Sequence, residues 1–377
     1  MYRFVLFTMC FMCQSLVFGQ SADSWHVVKE FAQQRFPATV PAGNYSGITH
    51  ICDNVYALVS DKSDSALYFN MQIDIDRNTG ELMSVNYLES HGEVEAPGLD
   101  HEGIAKVSDS KLVISSEGKC RLKEYMISTD SIPTSADGLW QWSMPQEEFW
   151  PNYSFESLAY DSVAHRLWTV SESTLRRDGV AATIQNGEQN VLRLLSFDLT
   201  NMASAPISYL YKMDAPTARR AGGTYVMGVS ELCVLPGGSL LVLEREAYVP
   251  QLKIGAFCQC KLYVVDVSSA VSYPFEKVIT PSAPFVQRRL LTSWRTQLGL
   301  FHCSWANYEG MCLAPQLDNG HHVLLLVSDS QDQYAGVLSD WFKTIVLACD
   351  ADDAEYQDGR VAQQSDEDVK QKNDTIQ

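Results

Sequence analysis

The chain has 377 residues, 46% of them hydrophobic, enough apolar material for a large core. Its 46 acids outnumber 28 lysines and arginines, and the net charge of −18 excludes a nucleic-acid surface built on clustered bases. A polyanionic ligand would need a cation between itself and this protein. Residues 1–19 read as an export signal: Arg3, a mostly apolar run from Phe4 to Phe18, and Val17 and Gly19 placed for cleavage before Gln20. That run is too short to span a bilayer, and no later stretch reaches ~18 consecutive apolar residues. The mature chain is therefore expected to be exported, with no transmembrane segment. Eight cysteines follow residue 19, an even count that permits disulfides without specifying their pairing. Cys233 and Cys312 fall in apolar strand positions, where buried thiols are ordinary.

In chain order, Trp25–Phe31 reads as a strand or short helix, and a Pro-containing approach leads to a recurring pattern. Five times a Gly or Glu opens a strand, a turn follows, and an apolar strand ends on Asp or Glu. The copies run Gly47 to Asp61, Glu102 to Glu117, Glu156 to Glu172, Glu231 to Glu244 and Glu309 to Asp329. Strands at Leu67–Ile75 and Glu81–Leu88 follow the first copy, and Cys120–Ile127 and Gly138–Ser143 the second. Asn190–Leu199 and Ile207–Met213 follow the third. Lys261–Val267 and a less regular stretch through Trp294 follow the fourth, and Trp341–Ala348 the fifth. Four strands per unit, at a period somewhat above ~40–50 residues, predict an all-β propeller with loop insertions. Five blade-like repeats are visible, and the gap before Glu309 leaves room for a sixth. The last repeat lacks a fourth strand, which Trp25–Phe31 is placed to supply, closing the ring. Residues 20–349 thus read as one domain, and the Asp-, Glu-, Gln- and Lys-rich stretch 350–377 as a disordered tail.

In an antiparallel pair the start of one strand lies beside the end of the next, so each copy brings its acids to one rim. Asp61, Glu102, Glu117, Glu156, Glu172, Glu231, Glu244, Glu309 and Asp329 are expected around a central mouth. Each close carboxylate pair costs roughly 4 kcal/mol at an effective dielectric near 20. A divalent cation, protonation, or the interleaved bases Lys62, Lys119 and Arg245 would offset that cost, and calcium suits an all-oxygen ligand set. The competing role for any one acid is to cap a loop or accept hydrogen bonds from a neighbouring strand. Within Asp100-His101-Glu102-Gly103, His101 is either a loop residue or a general base or metal ligand whose pKa the flanking carboxylates raise. His302 and His321-His322 are weaker candidates. The chain has no G-x-S-x-G elbow, P-loop or dinucleotide fingerprint. Cys258-Gln259-Cys260 with Cys303 has poor spacing for a structural zinc site.

Several motifs recur in a familiar order: Tyr45-Ser46-Gly47-Ile48 with Val59-Ser60-Asp61-Lys62, Asp100-His101-Glu102-Gly103, and Asn152 with Phe155-Glu156-Ser157-Leu158-Ala159. Ser171-Glu172, Gly228-Val229-Ser230-Glu231-Leu232, Leu243-Glu244-Arg245 and Asn307-Tyr308-Glu309-Gly310 follow. Jointly they resemble the phytase-like, or esterase-like phytase, domain family of exported bacterial proteins. Two departures stand out: Ser157 takes a position usually held by Gly, and the Arg commonly preceding the Asn-containing motif is missing around Trp150-Pro151. The resemblance implies hydrolysis of phosphate or carboxylic esters, with Glu102, Glu156, Glu231, Glu244, Arg245 and Glu309 at the site. Asp61 and Asp329 join those five glutamates as expected ligands of a divalent cation, calcium first. Glu102, His101 and Arg245 are the catalytic candidates, Arg245 as donor to a phosphate or carboxylate. A monomer acting on a small-molecule ester is expected. Two other readings stay open: a non-catalytic propeller whose cations serve stability, and a calcium-dependent lactonase-like propeller with a neutral substrate.

Overall fold

The computed structural model describes residues 24–127, 139–219, 222–300, 303–331 and 338–350. The expected signal, the tail beyond Asp350 and His302 lie outside the described residues. Strand β1 (Trp25–Glu30) comes first. Blade one is then β2 (Tyr45–Cys52), β3 (Val55–Ser60), β4 (Tyr68–Ile75) and β5 (Leu82–His91); blade two is β6 (His101–Ser108), β7 (Lys111–Ser116), β8 (Arg121–Met126) and β9 (Gln141–Ser143). Blade three is β10 (Ala159–Asp161), β11 (Arg166–Thr169), β12 (Val191–Asp198) and β13 (Ile207–Lys212). Blade four is β14 (Thr224–Val234), β15 (Leu240–Val249), β16 (Ala256–Val265) and β17 (Arg288–Leu298). Blade five is β18 (Asn307–Leu313), β19 (His322–Asp329) and β20 (Phe342–Cys349), with β1 paired antiparallel to β20 as its outer strand.

Every sheet is antiparallel, four of them with their strands in sequence order and the fifth completed by β1 beside β20, so the fold is a β-propeller and the N-terminal strand takes the place the repeat pattern left for it. The described residues hold five sheets; β17 and the connections around it fill the gap that left room for a sixth. Five hydrophobic clusters lie between neighbouring sheets, in the pairs one–two, two–three, three–four, four–five and five–one. Strands covered on both faces have no polar side to alternate with. In β19 every residue from His322 to Asp329 is buried, which is why its apolar run is continuous. Each fully buried Leu, Ile or Val there contributes roughly 1.5–3 kcal/mol.

The first strand of each blade is innermost, and these strands touch in the order β2, β6, β10, β14, β18 and again β2. They approach so closely that a side chain does not fit between some of them. A Cβ on Gly47 would lie 2.5 Å from Glu102 O, and one on Gly103 2.7 Å from Glu156 O. Gly310 stands in the same way against Ser46 O. In all five blades the pairing of the first two strands slips by one residue at this level. The slips fall between Tyr45 and Ile48, His101 and Ile104, Val229 and Glu231, and Tyr308 and Gly310. In blade three the Phe155–Ser171 bridge is out of register with the Ala159–Trp168 pair. Such a bulge re-aims the side chain it carries. Gly103→Ala is therefore expected to lower stability by roughly 1–3 kcal/mol through overpacking, read in urea or thermal melts. An unchanged melt would show that the inner strands have room to spare.

Candidate functional site

Register decides which side chains face the mouth. Aligned on the bulge, one column holds Ser46, Glu102, Glu156, Ser230 and Glu309, and the next holds Gly47, Gly103, Ser157, Glu231 and Gly310. On the second strands, Ser60, Ser116, Ser171, Glu244 and Ser328 pair with the inner strands. The residues after them, Asp61, Glu117, Glu172, Arg245 and Asp329, form the second rim column. Blade four is thus the exception: it offers Ser230 and Arg245 where its neighbours offer two acids or an acid and a serine.

A cavity of about 220 Å³ opens between these columns. Asp61, Glu102, Glu117, Glu156, Glu172, Arg245 and Glu309 line it, with Asn152, Asn307, Gln331 and Trp305. Arg245 is 5% exposed and reaches from blade four to blades three and five. Its Nη2 lies 2.5 Å from Glu172 Oε1 and 3.8 Å from Glu156 Oε2, and its Nη1 donates to Glu309 Oε1 and, at 3.0 Å, to Asn307 Oδ1. Gly228, opposite Arg245, leaves the space that the Glu172 side chain occupies. Ser46 Oγ links the other side, at 2.6 Å from Glu102 Oε2 and 3.1 Å from Glu309 Oε2. Asp329 is buried beside them, its Oδ1 accepting from Gln331 N at 2.7 Å. Lys62 Nζ stands 3.7 Å from Asp61 at the exposed edge, whereas Lys119 points to solvent and takes no part.

Three carboxylates face one another where Glu102, Glu117 and Glu156 meet. One oxygen from each lies within 4.8 Å of the others, the one such trio of metal-ligand atoms among the described residues. Ser46 Oγ to Glu102 and Ser154 N to Glu117 Oε1, 3.0 Å, are the near hydrogen bonds, and neither links two of the three carboxylates. Oxygen ligands of calcium at ~2.3–2.6 Å stand up to about 5 Å apart, so this donor set fits a hard divalent cation. Burial, then Glu309, Asp61 and Glu117, push the Glu102 carboxyl well above the ordinary carboxylate range. Burial, then Glu172 and Glu102, do the same to Glu156, and burial with Glu172 raises Glu117 to about 7.

Three expected site residues are placed elsewhere. Glu231 stands in the glycine column, one position from the acids it was grouped with, and its Oε1 accepts from Leu158 N and Leu232 N, both at 2.9 Å. It ties inner strands together instead of lining the mouth. Glu244 stands one position before the acid column and faces blade three, where Tyr211 OH donates to its Oε1 at 2.7 Å, as does Arg288 Nη1 of its own blade at 2.6 Å. His101 is 2% exposed and does not line the cavity. Burial, then the Arg121 charge, lowers its pKa to about 4, the reverse of the rise expected from flanking carboxylates, because alternation turns its ring away from Glu102. Ser46 and Asn307, absent from the expected ligands, do line up with the acids; the bulge alignment is the signal that finds Ser46. Cys258 and Cys260 bury their sulfurs 3.9 Å apart as thiols, and among the described residues no third His, Cys, Asp or Glu converges on them.

The family described as Phytase-like: Esterase-like activity of phytase matches residues 40–331. No curated protein matches the chain. Among solved structures, a streptogramin B lyase is 11% identical over 85% of this chain and 98% of its own, with a TM-score of 0.33. Virginiamycin B lyase from Staphylococcus aureus is 8% identical over 83% and 98%, TM-score 0.33. The Cps50 (Swd1) β-propeller domain of Myceliophteria thermophila is 9% identical over 84% and 99%, TM-score 0.31.

Two expectations test this arrangement. Between the ordinary carboxylate range and about pH 7, the folded rim binds protons that the unfolded chain has released. Stability in chelator should therefore fall as pH rises through that window, and saturating calcium should remove most of the slope; melting curves at several pH values measure both. A melting temperature that climbs with pH in chelator would overturn the raised carboxyl pKa values. Separately, Glu231→Ala leaves two inner-strand N–H groups without their acceptor and should cost roughly 1–3 kcal/mol. Its calcium response should match wild type, whereas a lost response would return Glu231 to the metal ligands.

Proposed function

The chain belongs to the phytase-like family, and we propose that it is a divalent-cation-dependent hydrolase of small-molecule phosphate or carboxylic esters. The observation that supports this best is the meeting of Glu102, Glu117 and Glu156 oxygens within 4.8 Å on the wall of an open cavity. In a purely architectural rim the acids would be separated by donors, whereas here three carboxylates face one another and the bonds from Ser46 Oγ and Ser154 N each reach only one of them. These three carboxylates would hold the cation, with calcium preferred because every ligand is oxygen. When bound, such an ion polarises an ester oxygen and acidifies a water.

The chain's own side chains divide the remaining work. Arg245, tied to Glu172, Glu309 and Asn307, supplies the positive charge of the mouth and holds those carboxylates in place. Its guanidinium is engaged by the protein, so it stabilises a developing negative charge through its field. Glu172 stands outside the trio with Oε1 held by Arg245. Its Oε2 is the acceptor for a proton from the attacking water as the ester bond to the leaving oxygen breaks.

Glu102→Gln and Glu156→Gln should each lose the calcium-dependent rise in melting temperature and at least roughly 100-fold in kcat/KM. The assay pairs phosphomonoesters with carboxylic esters, in calcium and in chelator. A wild-type protein that melts identically in both and turns over none of these esters would leave the rim as architecture and sink the hydrolase reading.

A further inference from the structure

Blade four is built differently from the others above the rim. Its strands run 10 or 11 residues, against 8 and 6 for the inner pair of blade two, so β14 and β15 continue past Arg245 as an overhanging arm. Along that arm Gly228 pairs with Arg245, Val226 with Ala247, and Thr224 with Val249. Alternation puts these six on one face. Thr224, Val226, Ala247 and Val249 line the cavity, and Trp305 joins them from the approach to β18.

The opposite face of the arm is polar. Glu246 accepts from Thr217 N and Ala218 N, both at 2.8 Å, and from Tyr225 OH at 3.0 Å. The arm is thereby held from behind, with its apolar side toward the mouth. The cavity is accordingly two-sided. Glu102, Glu117 and Glu156, from blades two and three, form one wall, and an apolar surface from blade four forms the other. Val226 and Val249 are only half-buried, so apolar surface remains for a ligand to cover.

We propose that the substrate carries an apolar alkyl or aryl group next to its ester, seated on Val226, Ala247, Val249 and Trp305 while the ester faces the carboxylate trio. The assignment rests on the hydrolase reading for the chemistry at the trio. A heavily phosphorylated polyol fits poorly by the same geometry. Among the described residues Arg245 is the one basic side chain lining the cavity and is already engaged, while six acids share that lining.

The test is a calcium-containing calorimetric titration with methyl-, propyl-, butyl- and hexylphosphonic acid, which cannot be hydrolysed, beside turnover of phosphate and carboxylic esters of the same alcohols. Affinity should rise about fourfold per methylene over the first few carbons. Val226→Asn and Val249→Asn should flatten that slope with unchanged melting temperature. Equal affinity along the series, or no binding by any member, overturns the apolar wall. Because binding and turnover are read separately, the two readings fail separately. A clear chain-length slope without turnover keeps the wall and removes the hydrolase; turnover with a flat slope does the reverse. Should the Asn variants fail to fold, the wild-type series alone decides.

Discussion

Mutual repulsion among carboxylates governs this molecule. Seven acids from four blades are driven to one mouth by the propeller's geometry, and a single guanidinium, Arg245, stands among them. Each close pair costs roughly 4 kcal/mol at an effective dielectric near 20, comparable with the whole stability of many domains. The structure answers locally: Arg245 neutralises Glu172 and Glu309, Asn307 donates to Glu309, and Ser46 bridges Glu309 to Glu102. What is left over is concentrated at Glu102, Glu117 and Glu156. Charge unresolved at one place, and resolved elsewhere, is the electrostatic signature of a site.

The backbone that creates this concentration is as constrained as the charges. A bulge at the same level in all five blades turns one side chain per inner strand toward the mouth, and in blades one, two and five the close approach of neighbouring strands leaves room only for Gly in the next position, which blade three fills with Ser157. Where blade four breaks the pattern with Glu231, the larger side chain takes over hydrogen bonding to inner-strand amides. The same blade exchanges an acid for Arg245 and extends its strands beyond the rim. One aberrant blade therefore supplies the counter-charge, a tie between inner strands and the asymmetry of the cavity.

Other charged groups show how little residue type alone decides. Arg193 and Asp178 form a two-pronged pair, 2.6 and 2.7 Å, with both side chains 1% exposed. Arg193 also donates to Pro274 O and Lys277 O, pinning the long β16–β17 connection onto blade three. Arg288 binds Glu244 and Asp214, and with Lys261 and Tyr263 it holds Asp214 down to about 2 despite burial. In these clusters each carboxylate faces a cation, whereas the three carboxylates of the trio face one another.

Much of this was legible in the chain itself. The five-fold recurrence, the two-residue alternation and the Gly-containing turns specify an all-β propeller. The solitary apolar segment Trp25–Phe31 is assigned to the sheet that lacks a strand. The recurrence also singles out Glu102, Glu156, Glu309, Asp61 and Asp329 as rim residues, because a repeated hairpin must deliver equivalent ends to equivalent places. It does not resolve a one-residue offset. Glu231 and Glu244 look like their counterparts in sequence, and the bulge and pairing register put them on other faces. His101 sits beside Glu102 in the chain and opposite to it in space. Which three acids converge, that Arg245 replaces one of them, and that Val226 and Val249 line the same cavity were decided by tertiary structure. Most of those contacts join different blades, and a strand with period two reverses its facing with every single-residue slip.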